Sequence, residues 1–196
     1  MKKLNFALAA ALLTLTGAPL LAQSLDMPAS YEFLKAVRDR DGNKATEMLN
    51  SGPSSLVNIR ADNGETALTI AIARSDSDWT AWLLNKGADP NLAGKAGDTP
   101  LITAARVGFE DAVDWLLGLG AKIDGTNKMG ETPLIVAVQQ RETNIVRMLL
   151  EKGANPDKTD NAAGLSARDY AARDTRSRQI LQLIEAAKPK ASAAAH

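Results

Sequence analysis

The side chains that most often carry out catalysis are almost absent from this chain of 196 residues. It contains no cysteine, and its single histidine is the last residue, His196. Without a thiol or an imidazole in a folded region, the usual pairs of nucleophile and base cannot be assembled. The catalytic alternative is an enzyme that uses only carboxylates and lysines. The composition also excludes a disulfide framework and a thiolate zinc site, and the sequence predicts no cofactor and no bound metal.

Two glycine-containing stretches could be mistaken for phosphate-binding loops. Gly118 and Gly120 begin like a dinucleotide-binding fingerprint, but Ile123 stands where its last glycine should be. That stretch also ends a predicted helix instead of starting one, so a helix cap is the preferred interpretation. Gly94 and Lys95 form a Gly-Lys pair that lacks both the upstream glycine and the following Ser or Thr of a P-loop.

Three aspartates raise the alternative of a calcium loop: Asp124, Asp157 and Asp160. Calcium loops need a glycine at the turn and a bidentate glutamate at the end, and this spacing provides neither. We therefore interpret these aspartates as side chains that cap loops.

Large apolar residues recur 33 residues apart at Trp82, Trp115 and Met148, and Trp79 lies one helical turn before Trp82. An aromatic ladder of this kind could stack a ligand, which would require an exposed patch. The same positions lie in predicted helices that carry Leu-Leu pairs, where large apolar residues normally fill a core. The sequence favours the core, and the exposed binding patch is the alternative.

The elements that must position these side chains are short helices, and residues 97–124 show their design. Thr99 is a predicted N-cap, with Pro100 at the first helical position, where its missing N–H is harmless. Gly108 breaks this first helix, and a second one ends at Gly120, a residue type that tolerates a left-handed C-terminal cap. One such pair is too thin to bury its apolar faces and needs copies of itself on both sides.

Copies of this helix pair recur with a period of 33 residues. The columns that keep the period are Thr66, Thr99 and Thr132; Leu68, Leu101 and Leu134; Gly87, Gly120 and Gly153; and Asn58, Asn91, Asp124 and Asp157. A 33-residue period in which T-P-L-x-x-A opens the first helix is typical of ankyrin repeats. The chain therefore resembles the ankyrin-repeat family over residues 30–187.

The resemblance implies an all-α solenoid of stacked helix-turn-helix units joined by β-hairpin-like loops. The predicted repeats are about 30–60, 61–93, 94–126, 127–159 and 160–187. The first and fifth copies depart from the pattern, and the charged outer positions of the first suit a terminal capping repeat. In the family, a histidine follows T-P-L and hydrogen-bonds the neighbouring loop. Its column here holds Thr69, Ile102, Ile135 and Asp169, so the contacts between loops lack their usual donor.

The first 22 residues have the three-part layout of a bacterial secretory signal peptide. Two lysines precede an apolar run, and Leu20 stands three residues before the expected cleavage after Ala22, with cleavage after Ala18 as the alternative. A membrane anchor is the other interpretation, but the uninterrupted run is shorter than the roughly 20 residues that span a bilayer. The mature chain is therefore expected in the periplasm, without membrane insertion. Residues 23–29 are a predicted linker and residues 188–196 a predicted disordered tail.

The charge balance limits the kind of partner. Basic and acidic residues both number 23, and removal of Lys2 and Lys3 with the signal peptide leaves 21 against 23. No basic stripe of the kind that releases counterions from phosphates is present, so nucleic acid is not an expected partner. The sequence predicts a monomer that binds another protein.

The resemblance implies that hairpin tips and the exposed side of each first helix line a concave protein-binding groove. Carried over by position, the candidate contacts are Asn63, Glu65, Arg74, Lys95, Asp98, Arg106, Lys128, Met129, Glu131, Gln139, Gln140 and Arg173. The basic members of this set predict an acidic contact surface on the partner. The alternative to a general interaction module is an inhibitor or immunity-type protein that blocks an envelope-acting toxin or hydrolase.

Overall fold

The computed structural model describes residues 28–187, which form ten α-helices in five pairs. The helices are α1 (Ala29–Asp39), α2 (Gly42–Ser51), α3 (Ala67–Ala73), α4 (Ser77–Asn85), α5 (Pro100–Val107), α6 (Glu110–Gly118), α7 (Pro133–Gln140), α8 (Thr143–Glu151), α9 (Ala167–Arg173) and α10 (Arg178–Ala186). The predicted all-α solenoid is confirmed. The predicted signal peptide, most of the predicted linker and the predicted tail lie outside the described residues.

The first helix of each of the last four pairs begins at a hydroxyl cap. Thr99 accepts a hydrogen bond from the Ile102 amide at 3.2 Å, and Pro100 occupies the first helical position. The matching caps at the other three helices are Thr66, Thr132 and Ser166. Because each cap satisfies an otherwise unpaired amide, these four repeats start their first helices at the same place.

The row of first helices packs more tightly than the row of second helices. Small side chains permit this, since Ala104 and Ala105 of α5 are fully buried between the neighbouring first helices. One closely spaced row beside a more widely spaced row makes a stack of repeats curve. The first helices therefore lie on the concave side of the solenoid.

Leucine columns fill the space between repeats. Leu101 in α5 and Leu134 in α7 are completely buried, and Leu116 and Leu149 are buried in the same way in the second helices. These leucines belong to one continuous core that runs through all five repeats. Each repeat is therefore stable only when stacked on its neighbours.

The column of missing histidines has two solutions. Thr69 and Asp169 bond back to the amide of their own cap residue, which completes a capping box. Ile102 and Ile135 are instead fully buried and contribute apolar area. In none of these four positions does the side chain reach the neighbouring loop through a hydrogen bond.

Asparagine and aspartate side chains connect adjacent repeats instead. The Asn58 side chain donates to the Gly87 carbonyl at 3.1 Å and accepts from the Asp89 amide at 2.7 Å. Asn91 repeats this arrangement one unit later, and Asp124 accepts from the Asn155 amide at 2.9 Å. The interpretation of Asp124 as a loop-capping residue is thereby confirmed.

Candidate partner-binding surface

Four loops project beside the first helices of repeats 2 to 5. They are here called tip 2 (61–65), tip 3 (94–98), tip 4 (127–131) and tip 5 (160–165). Each tip is closed by one backbone hydrogen bond, such as Gly94 N–H to Asp98 O at 2.7 Å in tip 3 and Asn127 N–H to Glu131 O at 3.2 Å in tip 4. Tips 3 and 4 also bond to each other: the Lys128 amide donates a hydrogen bond to Ala96 O at 3.3 Å. Together with the first helices they form a continuous concave surface.

A polar network lies at the centre of this surface. The Arg106 guanidinium contacts the Asp98 carboxylate at 3.0 Å and the Glu131 carboxylate at 3.6 Å. The Asn127 amide donates to both of these carboxylates at 2.8 Å, and its oxygen accepts from the amides of its own tip. Tips 3 and 4 are therefore fixed to each other and to α5.

The predicted contact residues differ widely in exposure. Exposed are Asn63, Arg74, Lys95, Lys128, Met129, Gln140 and Arg173; partly buried are Glu65, Asp98, Arg106 and Gln139; and Glu131 is buried. Glu131 is only 8% exposed, and its carboxylate accepts a hydrogen bond from the Asn127 side chain. The expectation that it forms an accessible part of its tip is wrong, because Asn127 of the same tip and Arg106 of the preceding repeat contact its carboxylate.

Two predicted contact arginines are engaged within the protein. Arg74 donates to the carbonyls of Val37 and Arg38 at the C-terminal end of α1, at 3.0 and 2.8 Å. A cation there complements the negative end of the helix dipole. Arg106 is held in the central network, so neither arginine presents a free charge to a partner.

The charges that remain available belong to adjacent tips. Within residues 28–187, Lys95 and Lys128 form no ion pair, and both are exposed. Met129, next to Lys128, keeps 53% of its surface exposed. We call Lys95, Lys128 and Met129 the tip patch. It combines two cations with a polarisable apolar side chain that adapts to different partners.

Comparison with known protein families identifies this architecture. A family model for ankyrin repeats matches the chain in three overlapping copies, at residues 33–127, 82–160 and 119–191. The chain belongs to the ankyrin-repeat family. A comparison with curated proteins found none that matches it. Ankyrin repeats are protein–protein interaction modules and are generally not enzymes, which directs attention to the surface rather than to a catalytic cleft.

The ankyrin surface also contains residues that the sequence reasoning missed. At its N-terminal end a cleft of about 450 Å³ is lined in part by Tyr31, Leu34 and Arg60, and Tyr31 is 44% exposed. Tyr31 lies two residues before the buried Phe33 and is off the apolar face of α1. Its exposure could therefore have been predicted from the helical spacing. This cleft extends the concave surface beyond tip 2.

A charged pair connects tip 2 to α1. Arg38 donates to the Glu65 carboxylate at 2.7 Å. This hydrogen bond, with a second one from Asn63, holds the pKa of Glu65 below its ordinary value. Both partners are substantially solvated, so the pair contributes little stability and mainly orients tip 2 against α1.

The acidic residues of repeat 5 have structural partners. Asp160, only 4% exposed, accepts from three amides of its tip and from the Tyr170 hydroxyl at 2.6 Å. Asp157 pairs with Arg168 at 2.7 Å. No group of three or more acidic or histidine side chains within residues 28–187 is arranged to hold a metal ion.

The predicted aromatic core is only partly correct. Trp79 is buried, but Trp82 and Trp115 are partly exposed and pack against the edge of the core. Trp115 leans edge-to-face on Phe109, with 6.1 Å between ring centroids. The residue after each of these two indoles, Leu83 or Leu116, is fully buried, and the indole itself lies closer to solvent.

The helices of the ankyrin stack are short compared with the thickness of a bilayer. Among residues 28–187, no helix has both the length and the apolar character needed for a membrane crossing.

Proposed function

We propose that this ankyrin-repeat protein is a non-enzymatic binding module that captures a partner protein in the periplasm through its concave surface. The tip patch is the observation that carries the proposal. It contains one exposed lysine on each of two hydrogen-bonded tips, and an exposed methionine that follows the second lysine. Such a group has little structural purpose, since each of these side chains remains solvated at the outer end of a loop.

The charge pattern favours a partner with an acidic contact surface. The Arg74 and Arg106 guanidinium groups are bound to acceptors within the protein, so Lys95 and Lys128 supply the accessible positive charge at the centre of the concave surface. Arg173, on α9, adds a third exposed cation that forms no ion pair within residues 28–187. Carboxylates on a partner would complement these cations and accelerate association.

The central network prepares the tips for binding. Because Asn127 bonds to both Asp98 and Glu131, tips 3 and 4 hold one arrangement before any partner arrives. A surface that is already ordered loses less conformational entropy on association. The network therefore serves binding indirectly, by keeping the tip patch in place.

The test is capture of a partner from an envelope extract, followed by titration with variants. The double change Lys95→Ala and Lys128→Ala should weaken binding by about 5- to 30-fold, because two charge-assisted contacts are lost. It should leave the melting temperature nearly unchanged, since both side chains are exposed. Raising the salt concentration should slow association of the unaltered protein.

The matched control removes the same charge from the other side of the molecule. Lys122→Ala combined with Lys152→Ala alters two exposed lysines in loops after second helices. If this control abolishes binding and the tip variant does not, the partner uses the outer face and the proposal fails. The identity of the captured protein also distinguishes a general interaction role from inhibition of a toxin or hydrolase.

The periplasmic location makes a separate prediction about the N-terminus. Removal of residues 1–22 should give a mature protein that begins at Gln23 and leaves the cell with the periplasmic fraction. Intact-mass measurement of the purified protein is sufficient to read the cleavage site. A soluble protein that retains Met1 and fractionates with the cytoplasm would contradict the location while leaving the binding surface untested.

A further inference from the structure

A second candidate site lies on the outer layer of the solenoid, away from the concave surface. The N-terminal ends of α2 and α4 leave a cleft of about 260 Å³, lined by Gly42, Asp78, Trp79 and Trp82. The two indole rings meet at 70°, with 5.1 Å between their centroids. They form an angular wall of aromatic carbon beside an acidic side chain.

The one charged residue that lines this cleft is acidic. Asp78 is exposed and, within residues 28–187, forms no ion pair. Asp41, which immediately precedes Gly42, adds a second carboxylate at the start of α2. Arg40 and Arg74 both pair with Asp76 in an adjoining pocket that Asp78 also lines. None of the residues that line the cleft is a cation.

Aromatic faces beside a carboxylate attract positively charged groups. The ring quadrupole places negative potential over each face of an indole, and tryptophan gives the strongest cation–π contact of any side chain. Trp82 already engages one cation of the protein itself, because Lys86 Nζ lies 6.0 Å from its ring centroid. Lys86 is outside the lining of the cleft, which leaves the space beside Trp79 and Asp78 unfilled.

We propose that this cleft binds a quaternary alkylammonium group. The methyl groups would contact the two indoles, and the spread positive charge would be balanced by Asp78. A primary ammonium is a poorer fit, because it is strongly hydrated and would lose hydrogen bonds to water that carbon walls cannot replace. The ligand is independent of the partner protein proposed for the concave surface.

Gly42 keeps the cleft open. A Cβ placed at this position meets no atom within 4 Å, so a larger side chain is tolerated by the backbone and projects into free space. Leucine is also a better helix former than glycine. Gly42→Leu is therefore expected to fill the cleft and leave the fold intact. A thermal melt of the variant verifies that it is folded.

Tryptophan fluorescence tests the proposal with choline as the probe. Trp115→Phe removes the background signal of the third indole. In that protein, choline should change the emission with a dissociation constant on the order of millimolar. The neutral isostere 3,3-dimethylbutanol should have no effect at the same concentrations, and N-acetyl-lysine methylamide should bind more weakly than choline.

Three variants complete the experiment. Gly42→Leu should abolish the choline response, and Asp78→Asn should weaken it about fivefold at constant ionic strength. Asp111→Asn changes the equivalent aspartate one repeat later, 33 residues along the chain, and should leave the choline response unaltered. Equal responses to choline and dimethylbutanol, or unchanged binding by folded Gly42→Leu and Asp78→Asn proteins, would overturn the site. Tighter binding of the lysine derivative would overturn the assignment of a quaternary group.

Discussion

Replacing Leu101 with alanine is expected to lower the free energy of unfolding by about 3–5 kcal/mol. Leu101 is completely buried in α5, the first helix of the middle repeat, and α5 packs on both α3 and α7. The loss combines the transfer free energy of the removed carbons with the cost of a cavity that helices fixed on both sides cannot close. Urea denaturation followed by circular dichroism measures it.

The comparison variant for this prediction is Val107→Ala in the same helix. Val107 is 38% exposed, so its truncation should cost less than about 1 kcal/mol. Because each repeat is stabilised by its neighbours, damage in the middle repeat should also broaden the transition as the two ends of the solenoid uncouple. Equal losses at Leu101 and Val107 would show that the buried and exposed faces of α5 are inverted.

The second large effect is expected at Asp160. Asp160→Ala should cost about 2–3 kcal/mol at neutral pH, because three tip amides and the Tyr170 hydroxyl lose their acceptor. Tyr170→Phe removes one of these donors and should cost about 1 kcal/mol. Chemical denaturation of both variants against the unaltered protein gives these values. Asp157→Ala is the matched control, since that exposed carboxylate makes one solvated ion pair.

The effect of Asp160 should depend on pH in a defined direction. Burial favours its neutral form, but hydrogen bonds from Tyr170 and from the tip amides outweigh burial and hold its pKa below the ordinary value. A lowered folded-state pKa contributes stability above the unfolded-state pKa of about 4, and this contribution is lost as the pH falls through the folded-state value. The difference between the unaltered protein and Asp160→Ala should therefore shrink below about pH 4. A difference that stays constant to pH 2 would contradict the assignment.

The hydrogen bond between Asp160 and Tyr170 shifts the pKa of Tyr170 in the opposite direction. Donation to Asp160, assisted by burial, raises the pKa of the Tyr170 hydroxyl above its ordinary value. The stability that this bond contributes is complete below the unfolded-state pKa of about 10 and is lost as the pH rises through the folded-state value. The difference in the free energy of unfolding between Tyr170→Phe and the unaltered protein should accordingly shrink in strong alkali, as chemical denaturation at increasing pH would show.

Local sequence signals were sufficient for the helices and their order. Thr99, Pro100 and Gly108 mark the bounds of α5 because caps and breakers act on their own backbone. The 33-residue columns then indicate stacking, since residues that recur at one position in every repeat must occupy equivalent environments. Fold class, the apolar columns and the capping role of Asp124 could all be predicted at this level.

Side-chain partners across repeats could not be predicted in this way. Glu131 looks like an exposed loop residue in sequence, yet stacking places Arg106 of the preceding repeat beside its carboxylate. Arg74 likewise finds its acceptors on α1, 36 residues earlier in the chain. These contacts depend on the angle between neighbouring repeats, which no column of identities specifies. The tryptophans were misjudged for a related reason, because a shift of one residue on a helix rotates a side chain by about 100°.

The central claim is that the tip patch contacts the partner, and Met129 reports on it directly. Its exposed thioether should be oxidised readily by peroxide in the free protein and slowly in the complex. Met48 and Met148, partly buried on second helices, are internal references. The proposal predicts that mass spectrometry finds protection at Met129 alone. An unchanged rate at Met129, with protection at Met48 or Met148, would place the partner on the outer face and contradict it.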